Sequence, residues 1–173
     1  MDSYQNLQDR GFVKQCSNEA ALRQKISEGP MTFYVGFDAT ADSLHIGHVV
    51  SLMAMAHLQK AGHLPICLLG GGTTMIGDPS GKTETRRIMP QEEIEANGKK
   101  LLEQFENYID FSGDKALLQN NAKWLLPLNY IEFLRDIGKH FRVNEMIKAR
   151  GYEMRMERED GLSFLELNYQ LLQ

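Results

Sequence analysis

Hydrophobic and polar positions along this chain change period several times, and each change marks an element. Met31–Phe37 (MTFYVGF) alternates: Phe33, Val35 and Phe37 fall on one face, and Tyr34, Gly36 and then Asp38 on the other, as along a strand. Leu64–Leu69 is instead a near-continuous apolar run closed by Gly70, Gly71 and Gly72, the composition of a buried parallel strand. Between them His45–Ala61 reads as an apolar helix stopped by Gly62. Upstream, Ser3–Arg10 reads as a short helix ended by Gly11, and Ser17 can cap a second helix through Ile26, stopped by Gly29 and Pro30.

Downstream, loop chemistry fills Asp78–Met89. Pro90 then sits where a first helical residue belongs, opening a helix to about Tyr108. Leu117–Asn120 predicts another strand. Asn129 with Glu132 makes a capping box for a helix through Ile137, and Ser163 with Glu166 makes a second for Phe164–Gln173. Strand–helix–strand alternation predicts an α/β fold with a parallel sheet, flanking helices and a helical insertion after it. The last helix is still running at Leu172 and Gln173, so the chain is expected to be a fragment.

Composition narrows the class. The 173 residues suit one domain; 42% are hydrophobic and 24% charged, ordinary for a globular protein. A formal charge of −4 argues against a broad basic face for nucleic acid. Cys16 and Cys67 are too few and too far apart for a disulfide framework. No apolar run approaches the ~18 residues of a membrane span, and the start resembles neither a signal nor a transit peptide, which makes the cytoplasm the default location.

The chemistry concentrates in Tyr34–His48 (YVGFDATADSLHIGH), a strand tip followed by a turn and a helix start. Ligands of open parallel sheets bind at the carboxyl ends of strands, and a helix N-terminus offers unpaired N–H groups and a positive dipole end to phosphate. Tyr34, Gly36 and Asp38 form a candidate pocket wall; a core tyrosine at a strand-end turn is the plainer alternative. His45 and His48 share a helix face, with Gly47 between them allowing a flat ring to approach the backbone. As alternatives they form a zinc pair, for which no HExxH or third ligand is in place, or simple capping and surface residues. His57 and His63 read as surface or packing residues.

Gly77–Thr83 (GDPSGKT) suggests a phosphate-cradling P-loop, but Ile76 stands where that pattern needs its first glycine. The segment then reads as a loop carrying the cations Lys82, Arg86 and Arg87, with Asp78 at its root. A P-loop-like NTPase is the weaker enzyme alternative. On the last helix Tyr169 and Gln173 are four apart and face the same way.

YVGFDATADSLHIGH, AGHLPICLLGGGTTMIGDPSGKT, FLRDIGKHFRVNEMI and SFLELNYQLLQ together resemble tyrosyl-tRNA synthetase of the bacterial and organellar type, over nearly the whole chain. His45-Ile46-Gly47-His48 is similar to the first signature of class I synthetases. The resemblance implies a Rossmann-like catalytic domain truncated before its second half. About 31–120 would be the nucleotide- and tyrosine-binding core. About 121–173 would be a helical insertion and dimer region with the start of the return helix, and the anticodon-binding and C-terminal RNA-binding domains would be absent.

It implies L-tyrosine, ATP with Mg²⁺ as a substrate complex, tRNA(Tyr) and a homodimer as partners, with no membrane and no protein-bound metal. Tyr34 would bond the substrate phenol, and Asp78, Tyr169 and Gln173 would hold its ammonium group. Gly36, Gly47, His48 and Ser51 would border adenine and ribose, and Asp38 the ribose and α-phosphate. Thr40 and His45 would meet the γ-phosphate, while Lys82 and Arg86 would fold over the leaving pyrophosphate. Thr40, His45, His48, Lys82 and Arg86 would thus carry catalysis. A site built to bond a phenol strands its own polar groups when phenylalanine enters, and this family is the usual illustration of that rule. Ala39 stands where the family commonly has proline, and Val35 where a cysteine often bonds the ribose. A lysine-rich second signature would lie beyond Gln173. A non-catalytic ligand-binding or dimerising module of the same family is the alternative of a different class.

Overall fold

The computed structural model describes residues 2–78, 89–148, 152–153, 156 and 161–172. Its helices and strands, in chain order among the described residues, are α1 (Ser3–Asp9), α2 (Glu19–Ser27), β1 (Thr32–Phe37), α3 (Ile46–Lys60), β2 (Leu64–Leu69), α4 (Gly71–Ile76), α5 (Gln91–Phe105), β3 (Leu117–Asn120), α6 (Ala122–Leu125), α7 (Tyr130–Asp136), α8 (Val143–Met146) and α9 (Phe164–Leu172). The strands form one sheet in the order β1-β2-β3. β1 and β2 run parallel, from Thr32 opposite Leu64 to Phe37 opposite Leu69, with α3 as the crossover helix that a parallel pair requires. The predicted α/β sheet with flanking helices is the observed architecture.

The chain forms two compact units, Met1–Leu69 with Ala96–Gln119, and Gly70–Glu95 with Asn120–Gln173. In the first, β1 alternates as its sequence predicts: Phe37 is buried and Phe33 and Val35 half-buried, while Thr32, Tyr34 and Gly36 face solvent. β2 is covered more fully, with Pro65, Cys67 and Leu69 buried. Against this sheet α3 places Leu52, Met55 and Ala56, and α5 places Leu101 and Phe105. Phe105 packs against Phe37 with ring centroids 4.8 Å apart and the planes tilted by 48°. Burial of each large apolar side chain is worth ~1.5–3 kcal/mol, so this layer fixes where β1 ends and α3 begins. Gly98 lets α5 approach β2, because a Cβ there would lie 2.7 Å from Leu69 Cδ2.

Two histidines read as packing residues behave as such. His63 is buried, its Nδ1 accepting from the Met31 N–H at 3.2 Å and its Nε2 3.3 Å from Ser3 Oγ, which ties α1 to the mouths of both strands. His57 is half-buried against Phe12, ring centroids 5.6 Å apart.

The helix starts differ from the sequence reading in two places. Asn18, not Ser17, caps α2, its side chain accepting from the Ala21 N–H at 3.0 Å; a carboxamide one residue on reaches the third helical amide better than the serine hydroxyl. Pro90 precedes α5 and is not its first residue, its carbonyl accepting from the Ile94 N–H at 3.2 Å.

In the second unit the glycine run that closes β2 also opens α4, with Gly70 at the N-cap position. These glycines serve close approach: a Cβ on Gly71 would collide with the Asn120 carboxamide, and one on Gly72 would sit 3.1 Å from Leu125 Cδ1. Asn121 is buried there and satisfied at both ends. Its Oδ1 accepts from the Gly72 N–H at 2.8 Å, and its Nδ2 donates to Thr73 Oγ1 at 3.0 Å. Asn129 caps α7 by accepting from the Ile131 and Glu132 N–H groups at 3.0 and 3.2 Å. At α9 the predicted capping box closes in both directions: the Ser163 N–H donates to Glu166 Oε2 at 2.8 Å, and the Glu166 N–H to Ser163 Oγ at 3.2 Å. α9 packs on α4.

Candidate active site

In the first unit, β1 delivers the chain at its carboxyl end into the loop 38–44, which leads to the N-terminus of α3. His45 is the N-cap of α3, with extended backbone (φ −104°, ψ 170°). Its Nδ1 accepts from the Gly47 N–H at 3.1 Å and the His48 N–H at 3.4 Å, while His48 Nδ1 accepts from the His45 N–H at 3.4 Å. The pair is therefore a capping box made of two imidazoles. Their rings stack with centroids 3.7 Å apart and 18° between planes. Phe37 meets His48 in a T-shaped contact, 6.0 Å between centroids and 71° between planes.

Gly47 is part of this device, because a Cβ on it would lie 3.0 Å from His45 Cε1 and 3.1 Å from Nδ1. The ring brought onto the backbone there is that of His45. Burial, and secondarily the charge of His45, hold the His48 imidazole below the ordinary histidine range. With Nδ1 accepting, a neutral imidazole carries its proton on Nε2, so each ring keeps one N–H for a ligand. The capping alternative is what the structure shows, and it leaves Nε2 of both rings outside the cap bonds.

Of the other sequence-predicted residues of this unit, Gly36, Thr40 and Gly47 are exposed, Asp38 and Ser51 half-buried, and Tyr34 is 60% exposed on the same strand face as Gly36. Ala39 is fully buried, and its carbonyl accepts from Asn97 Nδ2 at 3.1 Å. Further along the loop, Asp42 pairs with Lys100 at 2.8 Å, a contact that holds the Asp42 carboxyl below and the Lys100 ammonium above their usual ranges. Gln104 bonds the loop backbone on both sides of Ser43: its Oε1 accepts from the Leu44 N–H at 3.0 Å and its Nε2 donates to the Asp42 carbonyl at 3.1 Å. Asn97, Lys100 and Gln104 were not singled out by sequence reasoning. Their i, i+3, i+7 spacing on one side of α5 was the available signal.

In the second unit, Asp78 follows α4 and Tyr169 lies buried on α9. Tyr152, also unforeseen, is buried between them in the chain order and donates from its hydroxyl to the Glu166 carbonyl at 3.2 Å. Burial and the charge of Asp78 push its phenol up. Lys82, Arg86 and Gln173 lie outside the described residues, as does most of GDPSGKT.

A family profile described as tRNA synthetases class I (W and Y) matches residues 26–173. The chain belongs to this class I synthetase family. Within it, the chain is 55% identical over 167 residues to the tyrosine–tRNA ligase of Caldanaerobacter subterraneus subsp. tengcongensis, covering 96% of this chain and 41% of that protein. It is 56% identical over 167 residues to the tyrosine–tRNA ligase of Clostridium perfringens, again 96% of this chain and 41% of the relative. A C-terminally truncated mitochondrial tyrosyl-tRNA synthetase of Aspergillus nidulans superposes with a TM-score of 0.86 at 29% identity, over 99% of this chain and 51% of that one. The chain therefore spans about two fifths of the length of the curated relatives it matches.

Proposed function

We propose that the protein is a tyrosine–tRNA ligase, and that this chain is the N-terminal part of its catalytic domain. About 31–120 would form the nucleotide and tyrosine core, and about 121–173 the helical insertion and dimer region. The substrates are L-tyrosine, ATP carrying Mg²⁺ on its phosphates, and tRNA(Tyr), in a cytoplasmic homodimer. Among the described residues no helix is long and apolar enough to cross a membrane. The reading rests on one observation above others, the reciprocal imidazole cap at the β1–α3 junction, which engages both Nδ1 atoms and leaves the Nε2 of each ring outside the cap at a helix N-terminus.

A tyrosine carboxylate oxygen attacks the α-phosphorus of ATP; the bond from that phosphorus to the bridging oxygen breaks, and pyrophosphate leaves with the electron pair and its Mg²⁺. The nucleophile comes with the substrate, so the chain's task is positioning and charge stabilisation. Thr40 and His45 donate to the γ-phosphate as charge builds on the leaving group, and Lys82 and Arg86 cover it from the loop. His48, Gly47, Gly36 and Ser51 border adenine and ribose, with Asp38 at the ribose and α-phosphate. Tyr34 bonds the substrate phenol, and Asp78, Tyr169 and Gln173 hold its ammonium. In the second step the tRNA's terminal ribose hydroxyl attacks the acyl carbon and AMP departs.

The experiment is pyrophosphate–ATP exchange in the complete protein. Exchange that requires tyrosine supports the reading. ATP hydrolysis indifferent to tyrosine would replace it with an NTPase. The homodimer is supported by an apolar cavity of about 360 Å³ in the second unit, lined by Leu125, Leu128, Phe133, Phe164 and Leu165 among others, with Phe164 67% exposed beside it. A monomer by light scattering at micromolar concentration would reject that part alone.

A further inference from the structure

We propose that Gln104 is a positioning residue for adenylate formation, acting through the loop that carries Thr40 and ends at His45. The inference rests on the tyrosine-activating reading above. The loop 38–44 lies outside helix and strand, and Thr40, Ala41, Asp42 and Ser43 are all exposed. Ordering such a segment costs backbone entropy, which contacts from outside it must offset. α5 supplies them from three points on one side. Asn97 bonds the Ala39 carbonyl, Lys100 pairs with the Asp42 side chain, and Gln104 grips the backbone at Asp42 and Leu44.

Gln104 differs in kind from the other two. Its amide oxygen accepts from Leu44, and its nitrogen donates to the Asp42 carbonyl and, at 2.8 Å, to the Lys100 carbonyl of its own helix. With an N–H on one side and two carbonyls on the other, only one orientation of the amide satisfies every partner. The carboxamide is therefore locked, and the residue it fixes, Leu44, immediately precedes the His45 cap. A shift there moves the imidazole Nε2 and the Thr40 hydroxyl together, and misplacement by ~1 Å costs about 100-fold where catalysis is positioning. The bland alternative is that Gln104 merely stabilises the fold.

A matched control sits at the other end of α3. Gln59 makes the same fork to a remote turn: its Nε2 donates to the Asp110 carbonyl at 2.7 Å and the Lys115 carbonyl at 3.0 Å, and its Oε1 accepts from the Asp110 N–H at 3.1 Å. Gln104→Met and Gln59→Met remove equal sets of backbone bonds while keeping side-chain length. In tyrosine-dependent pyrophosphate exchange by the complete protein, Gln104→Met is expected to lower kcat by about 10- to 100-fold with the tyrosine KM within about twofold. Gln59→Met should keep the wild-type kcat, and Gln104→Glu, which keeps the acceptor for Leu44 but sets a carboxylate oxygen against the Asp42 and Lys100 carbonyls, should also fall below wild type. Wild-type kcat in both Gln104 variants, or an equal loss in Gln59→Met, overturns the proposal. Should Gln104→Met not fold, Gln104→Glu decides against Gln59→Met alone. Absence of tyrosine-dependent exchange in the wild type is a different result, which removes the functional reading and this inference with it.

Discussion

Gly47→Ala separates the two jobs of the imidazole cap. The added methyl would lie 3.0 Å from His45 Cε1 and 3.1 Å from its Nδ1, too close by a few tenths of an ångström. The ring cannot yield without cost, since it is held by two N–H groups and stacked on His48. If it swings away, the cap is lost, at about 0.5–2 kcal/mol. Against this, alanine is a better helix former than glycine by roughly 1 kcal/mol. The terms nearly cancel, so the expected stability change is within about 1 kcal/mol either way. Activity has no such compensation. In the role proposed for it, a displaced His45 would no longer meet the γ-phosphate, and loss of one aimed donor costs about 100-fold in kcat. Urea unfolding and tyrosine-dependent pyrophosphate exchange on the same preparation give both quantities. Wild-type exchange by Gly47→Ala would refute the reasoning, because it would mean the ring's observed place is irrelevant to the chemistry.

Two further outcomes follow from burial and charge. His48 has its pKa lowered in the fold by burial and by His45, so the stability it contributes is fully present above the ordinary histidine value of about 6.5 and is lost as pH falls through the lower folded value. Urea midpoints from pH 7.5 to 5 should decline in this window and flatten in His48→Gln; a His48 proton resonance titrating at or above 6.5 would contradict this. Burial pushes the Cys67 thiol up to about 12 and leaves it fully enclosed, whereas Cys16 is partly accessible. Native protein should therefore show Cys16 reacting with a thiol reagent well before Cys67, which should react only as fast as the protein opens; two equally fast thiols would refute it.

Elements whose signal is local were legible in the sequence. The alternation of Met31–Phe37, the apolar run Leu64–Leu69 and the Ser163–Glu166 box each state their structure within a few residues, and each is found. What was not legible depends on distant partners. The run Gly70–Gly72 has the weakest helix propensity short of proline, yet it opens α4 because Asn120, Asn121 and Leu125 need its missing side chains. Capping by His45 was legible only as an alternative, since caps are usually Ser, Thr, Asp or Asn, and the reciprocal bond to His48 is what the structure adds. Gln104 and Tyr152 carry no motif at all; their importance comes from backbone groups 60 and 14 residues away in the chain. For the candidate site, the strand tip and HIGH were visible as chemistry, while the helix that holds their loop was visible only as a polar stripe.

The claim on which the account turns is that the exposed face of β1 selects a phenol beside the nucleotide. Relative kcat/KM for tyrosine and phenylalanine in pyrophosphate exchange, compared between the complete wild-type protein and Tyr34→Phe, tests it most directly. Tyr34→Phe is expected to narrow the preference by about 1–3 kcal/mol, the cost of leaving the substrate phenol unpaired once binding has covered it. An unchanged ratio would contradict it.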